Sequence, residues 1–281
     1  MMGFKRGVPV AGVRADRASW SPSWAIQASA VGHLGVVAAL LARPEIWPEA
    51  LTVLGANHAC LTLAGLWPRS RILGPNWTRL PKGNGMENRV AITFDDGPDP
   101  AVTPAVLDLL DAYRVKASFF CVGSKAVEHP EICAEIARRG HAVENHSFHH
   151  RHTFSLLGPR SLARELRTAQ QVLAALGGTP PRFFRAPAGL RNPLLDPVLA
   201  RLGLILVSWT RRGFDTRRQD ARAVAASLLR GVRGGDILLL HDGNAARTRG
   251  GRAVVLEALP RVLDGVIRNG LRPVTLRSAL P

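Results

Sequence analysis

Cysteine is scarce in this 281-residue chain, and the three that occur, Cys60, Cys121 and Cys133, form neither a CxxC pair nor an even-numbered framework. A secreted disulfide scaffold is thereby excluded, and three buried packing thiols in a reducing compartment are the expectation. Tyrosine occurs once, and the chain has no zinc finger, no basic heptad and no clustered arginine stripe, which argues against nucleic acid as a partner. Internal repeats and low-complexity tracts are also missing. Acidic residues are in deficit. The 21 Asp and Glu against 37 Lys and Arg leave a formal charge of +16, which points to an anionic neighbour such as phospholipid headgroups or a phosphorylated substrate. Apolar residues, at 46%, suffice for one sizeable core plus a smaller appended segment, so overall disorder is excluded.

Formal charge is absent from two stretches near the start, WAIQASAVGHLGVVAALLA at 24–42 and ALTVLGANHACLTLAGLW at 50–67. Each is close to the ~20 residues that cross a bilayer as a helix. Trp24, Trp47 and Trp67 stand where interfacial aromatics are expected. Residues 1–67 are therefore expected to hold a transmembrane helical hairpin. Ala28, Ser29, Ala30, Gly32 and Gly35 would allow close helix approach. The alternative is a pair of helices packed on a soluble domain, because Gln27, His33, Asn57 and His58 are costly in lipid. A cleaved signal peptide fits less well, since the first stretch starts late and a second soon follows. Lys5, Arg6, Arg14 and Arg17 precede the first stretch and Arg69, Arg71, Arg79 and Lys82 follow the second. The connection carries Arg43 against Glu45 and Glu49. This bias puts both ends in the cytoplasm, with the rest of the chain at the inner face of the cell membrane; the periplasmic side is the alternative.

Residues 68–88, rich in Pro, Gly and Asn, have turn chemistry and no helical period and read as a linker. From Arg89 to Pro281 short apolar runs alternate with amphipathic ones, the pattern of βα units around a parallel sheet or barrel. The expected strands are 90–94, 117–122, 141–145, 182–185, 204–208, 237–240 and 272–276. The expected helices are 103–113, 131–139, 161–176, 220–229 and 253–269, with Leu162, Leu166, Ala169 and Leu173 as one core stripe.

Residues able to do chemistry cluster where the strands end, which is where parallel βα architectures place their sites. After VAITF come Asp95 and Asp96, adjacent acids that repel unless one binds a cation while the other accepts a proton. A solvated DDGPDP turn, with Asp99 as a helix cap, is the plainer explanation of that motif alone. After HAVEN come His146, His149, His150 and His152. His146 and His150, four apart, would share a face of a helical turn and one ion, as imidazoles do at about 2.0–2.1 Å from zinc. His149 and His152 are expected on the surface. Arg185, after PRFF, can orient a carboxylate, and the Pro187-Ala188-Gly189 backbone can aim an N–H at an oxyanion. His241 ends the run ILLL as a candidate general acid.

Together these pieces resemble the polysaccharide deacetylase family, the carbohydrate esterases with a NodB homology domain, over about residues 89–281. TFDDGP at Thr93–Pro98 carries most of the resemblance, followed in order by HSxxH, RxPxG and LLLH. The resemblance implies a distorted (β/α) barrel of the NodB type. It also implies Asp95 as catalytic base, a metal triad of Asp96, His146 and His150, and Arg185 steadying Asp95. Asp215 stands in a groove motif and His241 as the acid. One divalent ion, zinc by preference, is implied, with the Ala188 N–H holding the oxyanion. Ala188 stands where the family commonly has an aromatic residue, and Thr216 where it commonly has Trp.

The expected activity is hydrolysis of the N-acyl amide of an amino sugar. The preferred substrate is a polyprenyl-phosphate-linked sugar at the membrane, because aromatic platforms for a long polymer are reduced. Peptidoglycan or a chitin-like oligosaccharide is the alternative. A membrane sugar-binding or scaffold protein with a decayed site is the alternative of another class, and the intact acids and histidines disfavour it.

Overall fold

The structure, a computed structural model, describes residues 20–83 and 85–280. The basic residues Lys5, Arg6, Arg14 and Arg17, on which half of the sidedness expectation rests, lie outside them. Two apolar helices come first, α1 (Trp24–Ala42) and α2 (Trp47–Leu66), joined by a single short turn. Their side chains are predominantly apolar and mostly uncovered, with Leu34 at 71% and Leu41 at 82% exposure, though Gln27, Thr52, His58 and Thr62 are exposed among them. Of the described helices α1 alone is both long and apolar enough to span a bilayer by its own composition. Gly32 and Gly35, expected at the helix contact, have nothing within 4 Å of where a Cβ would stand. The helices meet instead through Ser29, whose hydroxyl accepts a 3.0 Å hydrogen bond from Asn57, and through the His33 and His58 rings. Cys60 is exposed on the uncovered flank of α2, while Cys121 and Cys133 are buried as expected.

The foot of the hairpin is fixed to the rest of the chain. Gly65 accepts from the Arg191 N–H at 3.1 Å, and a Cβ at Gly65 would lie 2.1 Å from the Arg191 carbonyl oxygen, so only glycine permits the approach. The described residues of 68–88 contain no helix or strand, yet they pack against the sheet. Leu73, Leu80 and Met86 are buried. Trp77 pairs with the backbone of Leu206 and Ser208, and Leu80 donates to the Gly235 carbonyl.

Beyond them an eight-stranded sheet forms from β1 (Arg89–Asp95), β2 (Ser118–Cys121), β3 (Ala142–Asn145), β4 (Phe183–Phe184), β5 (Ile205–Leu206), β6 (Arg211–Arg212), β7 (Ile237–His241) and β8 (Arg272–Val274). The order is β5-β4-β3-β2-β1-β7-β6, with β8 on β1, and every strand pair is parallel. β1 is central, and its run of apolar residues is buried on both faces, as a parallel strand under helices requires. The sheet curls into an open half-barrel of the NodB (β/α) type, and Trp77 bridges to Val207 just beyond the edge strand β5.

The covering helices are α3 (Thr103–Ala112), α4 (Gly123–Glu128), α5 (Pro130–Arg138), α6 (Pro159–Gly177), α7 (Leu195–Leu202), α8 (Ala221–Leu229) and α9 (Val254–Arg268). Leu162, Leu166, Ala169 and Leu173 of α6 are all buried. Three elements escape sequence reading. α4 and α7 are too short for a helical period to register, and β6 is two arginines without apolar alternation.

Candidate active site

The site is assembled at the carboxyl ends of β1, β3 and β7. Register puts Asp95 beside His241, since these residues are Cα partners across β1 and β7. β3 ends at Asn145, whose side chain accepts from the Ser147 N–H and shapes the turn that carries the histidines. That turn is not helical. Ser147 and His150 have left-handed backbones, with φ of 65° and 50°, so His146 and His150 converge through a looped chain rather than a shared helix face. The two rings come together without the shared helix face that their spacing suggests.

Asp96 receives both imidazoles. Its Oδ1 lies 3.1 Å from His146 Nε2 and 3.0 Å from His150 Nε2. Nδ1 of His146 is 2.8 Å from the Arg185 carbonyl, which only accepts, so a proton sits there; Nε2 then faces Asp96 as a donor in the charged ring and as a lone pair in the neutral one. Asp96 Oδ2 takes a 3.2 Å bond from Asn244, and its backbone carbonyl takes one from Lys125 at 2.8 Å. Burial opposes charge on Asp96, but the hydrogen bonds from His146 and His150 and the charges of His146 and His241 carry it far below the ordinary carboxylate range. Three ligand atoms of Asp96, His146 and His150 lie within 4.8 Å of one another. One carboxylate oxygen and two imidazole nitrogens that converge on a common point fit a single divalent ion once the rings are neutral.

Asp95 is held differently. Arg185 is fully buried, and its Nη1 donates to Asp95 Oδ1 at 2.6 Å and to Thr93 Oγ1 at 2.9 Å, while Nη2 donates to the Ser208 carbonyl at 2.9 Å. The guanidinium lies over the Phe120 ring, 4.1 Å from its centroid. Burial lowers the Arg185 pKa and Asp95 opposes that fall. Asp95 Oδ2 makes no hydrogen bond among the described residues and lies 3.9 Å from His146 Nε2.

His241 is fixed by Asp215, which accepts from the His241 N–H at 2.7 Å and from Nδ1 at 2.8 Å. Burial works against the charged ring, but the hydrogen bond and charge of Asp215, helped by Asp95 and Asp96, outweigh it and raise the His241 pKa. Ala188 has φ 55°, is exposed to the cavity, and its N–H finds no acceptor among the described residues. Asp95, Asp96, His146, His150, Ala188 and His241 all line one cavity of about 440 Å³. Every expected site residue is thus in it or, as Arg185 and Asp215, directly behind it.

A family model described as polysaccharide deacetylase matches residues 82–207. A chitooligosaccharide deacetylase of Azorhizobium caulinodans is 36% identical over 191 residues, which cover 66% of this chain and 90% of that protein. The chain belongs to the polysaccharide deacetylase family. A peptidoglycan-N-acetylglucosamine deacetylase of Bacillus cereus is 30% identical over 196 residues, covering 69% of this chain and 89% of that one. The crystal structure of the Bc1960 peptidoglycan N-acetylglucosamine deacetylase superposes with a TM-score of 0.66 at 27% identity, over 73% of this chain and 92% of that chain.

Several members of the polar site of this polysaccharide deacetylase went unread in the sequence. Asn244 stands three residues after His241, in the same strand-end loop, and that position was the available signal. Thr93, Lys125 and Ser208 act through a hydroxyl, a reach to a backbone carbonyl and a backbone carbonyl, none of which leaves a pattern. His149 is not idle on the surface, because its Nδ1 meets Glu165 at 2.7 Å and its N–H bonds the same carboxylate.

Proposed function

We propose that the protein is a metal-dependent N-deacetylase that hydrolyses the acetamide of an N-acetylglucosamine-type sugar. The observation that carries this reading is the division of roles around one cavity. Asp95 has one oxygen tied to Arg185 and one free, His241 is backed by Asp215, and Asp96 with His146 and His150 forms a ligand set. A decayed scaffold would have no reason to keep all three arrangements.

Asp96, His146 and His150 would hold the ion, which when bound supplies a Lewis acid that polarises the amide and makes water more acidic. The free oxygen of Asp95 takes the proton of the attacking water, whose oxygen bonds to the amide carbon. Arg185 keeps the carboxylate aimed during that transfer. The Ala188 N–H donates to the oxygen as it gains charge. Asp215 holds the Nδ1 proton of His241, so Nε2 is the nitrogen that delivers a proton to the departing amine as the C–N bond breaks. Acetate and a free amino sugar leave.

The relatives' names point to chitooligosaccharides and peptidoglycan. The finer reading is an amino sugar linked to a polyprenyl phosphate at the membrane. Its supports are the uncovered hairpin fixed to the rim of the site and the excess of positive charge. A hairpin of two spans with the catalytic domain in the cytoplasm follows from Arg69, Arg71, Arg79 and Lys82 after α2, and zinc is the preferred ion for a His₂Asp set.

Metal analysis of the purified full chain should give one divalent ion per chain, lost in His146→Ala. Stoichiometric metal retained by that variant sinks the triad. Mass spectrometry of lipid-linked sugars from cells with and without the protein should show an acetyl-bearing species accumulating in its absence. If only cell-wall polymer changes, the polymer reading replaces the lipid-linked one. Reporters fused to Pro281 decide the side, and an exclusively external signal overturns the cytoplasmic placement.

A further inference from the structure

Arg211 and Arg212 are neighbours on β6, so their side chains leave opposite faces of the sheet. Arg211 is fully occupied. Its Nε bonds Asp236 at 2.5 Å and its terminal nitrogens bond the carbonyls of Arg230 and Gly231. Arg212 has no carboxylate or carbonyl partner among the described residues, and its Nε is buried without a hydrogen bond. What holds it is aromatic: the guanidinium lies 5.5 Å from the Trp209 ring centroid and 5.3 Å from that of Phe214. An arginine flanked by rings keeps its planar edge for a ligand, and that edge matches two oxygens of a phosphate.

Arg212 lies on a border. It lines the catalytic cavity, and it also lines a second hollow of about 380 Å³ together with Trp67, Arg69, Trp209, Thr210 and Phe214. That hollow contains two arginines and no carboxylate. Arg69 makes one long bond, 3.3 Å to the Thr210 carbonyl, and is otherwise exposed. Its backbone is fixed, because the preceding Pro68 carbonyl accepts from Ser208 Oγ at 2.5 Å and from Asn76 at 3.0 Å. Pro68 also packs on Gly189 of the RxPxG motif, where a Cβ would come within 2.6 Å of it. Trp67, 61% exposed, closes α2 beside it. The hollow therefore joins the foot of the hairpin to the mouth of the reaction site.

We propose that this hollow is an anion subsite in which Arg212 and Arg69 receive the phosphate of the substrate's lipid carrier while the sugar it bears reaches into the catalytic cavity. The source of the phosphate rests on the lipid-linked reading above; the subsite itself rests on the two arginines and the hollow. An acid-free basic hollow next to an uncharged amide site discriminates for substrates that carry a phosphate one sugar away from the acetamide.

The test uses the full chain in detergent with two substrates, a short-chain polyprenyl-diphosphate N-acetylglucosamine and a neutral chitooligosaccharide. In Arg212→Ala and in Arg69→Ala the ratio of the two KM values should rise on the order of tenfold, as loss of a charge-assisted phosphate contact requires. Arg212→Lys, which keeps the charge and loses the fork, should fall between. Equal KM increases on both substrates would mean that the arginines only support the fold, and would overturn the proposal. If the wild type turns over the neutral substrate alone, the lipid-linked reading fails, and inorganic pyrophosphate then judges the subsite. Inhibition of neutral turnover that weakens in Arg212→Ala sustains it, and inhibition unchanged in both variants overturns it. Weaker binding of the variants to phosphatidylglycerol vesicles with no change in the KM ratio would make the anion a membrane headgroup, and would overturn the substrate assignment.

Discussion

The half-barrel and the hairpin handle polar and apolar groups in opposite ways. In the barrel Arg185, Glu144, Asp215 and Asp236 are entirely shut from solvent, while Leu, Val and Phe fill the space around them. Each of these charges is matched. Glu144, for example, takes the N–H groups of Arg182 and Phe183 and the guanidinium of Arg277. In the hairpin Leu34, Val37, Leu41 and Leu63 stand outermost, and the polar Ser29, His33 and Asn57 turn toward each other or toward backbone. One rule is common to both: a polar group turned away from water must find a partner. A helix pair whose uncovered surface is mostly apolar would suit a lipid environment, and it takes little part in the barrel's inner packing.

The comparison breaks most visibly if the barrel's buried charges are merely structural. Asp95→Asn should lose about 10²–10⁴ in turnover while its metal content stays at the wild-type level, and His241→Ala should lose a similar amount. Near-normal kcat in either variant would remove that residue from the chemistry. Next in size is a charge placed on the hairpin's outer face. Leu34→Lys should weaken bilayer insertion by about 3 kcal/mol, seen as protein shifting from the membrane pellet to the soluble fraction. Unchanged partition would mean that the exposed leucines face something other than lipid.

A smaller effect separates a buried imidazole from a paired carboxylate. Burial, reinforced by the Lys116 charge, pushes His141 down to about 4 from the ordinary 6.5, and its Nδ1 accepts from the Ala117 N–H at 3.2 Å. The folded ring is therefore neutral where the unfolded ring is protonated. Stability contributed by His141 is full above pH 6.5 and declines as the pH falls toward 4. NMR titration should show no protonation of this ring at pH 5.5, and in His141→Gln the acid-side decline of stability should lessen by one proton's worth. A ring that titrates near 6.5 would refute the shift. Smallest is Asn57→Ala, which removes one interhelical bond of the hairpin and should cost about 0.6 kcal/mol of helix association, measurable by steric-trap or thermal unfolding in detergent.

The amino-acid sequence by itself determined the parallel βα plan, the apolar stretches at the start, and the candidate catalytic set Asp95, Asp96, His146, His150, Arg185, Asp215 and His241. Apolar period and strand-end position are local properties, so they survive in a linear string, and the deacetylase motifs add the roles. Three things only the tertiary structure decided. His146 and His150 meet because Ser147 and His150 take left-handed backbones, a choice made by the Asn145 side chain and the packing beneath it rather than by their spacing. Residues 68–88, turn-rich and without period, become part of the barrel wall because the open seam beside β5 offers the backbone of Trp77 a partner. The difference between Arg211 and Arg212 is invisible in the sequence, where they are identical neighbours. A buried Asp236 on one face of β6 and two aromatic rings on the other give one arginine a structural task and leave the other side chain without a hydrogen-bond partner among the described residues.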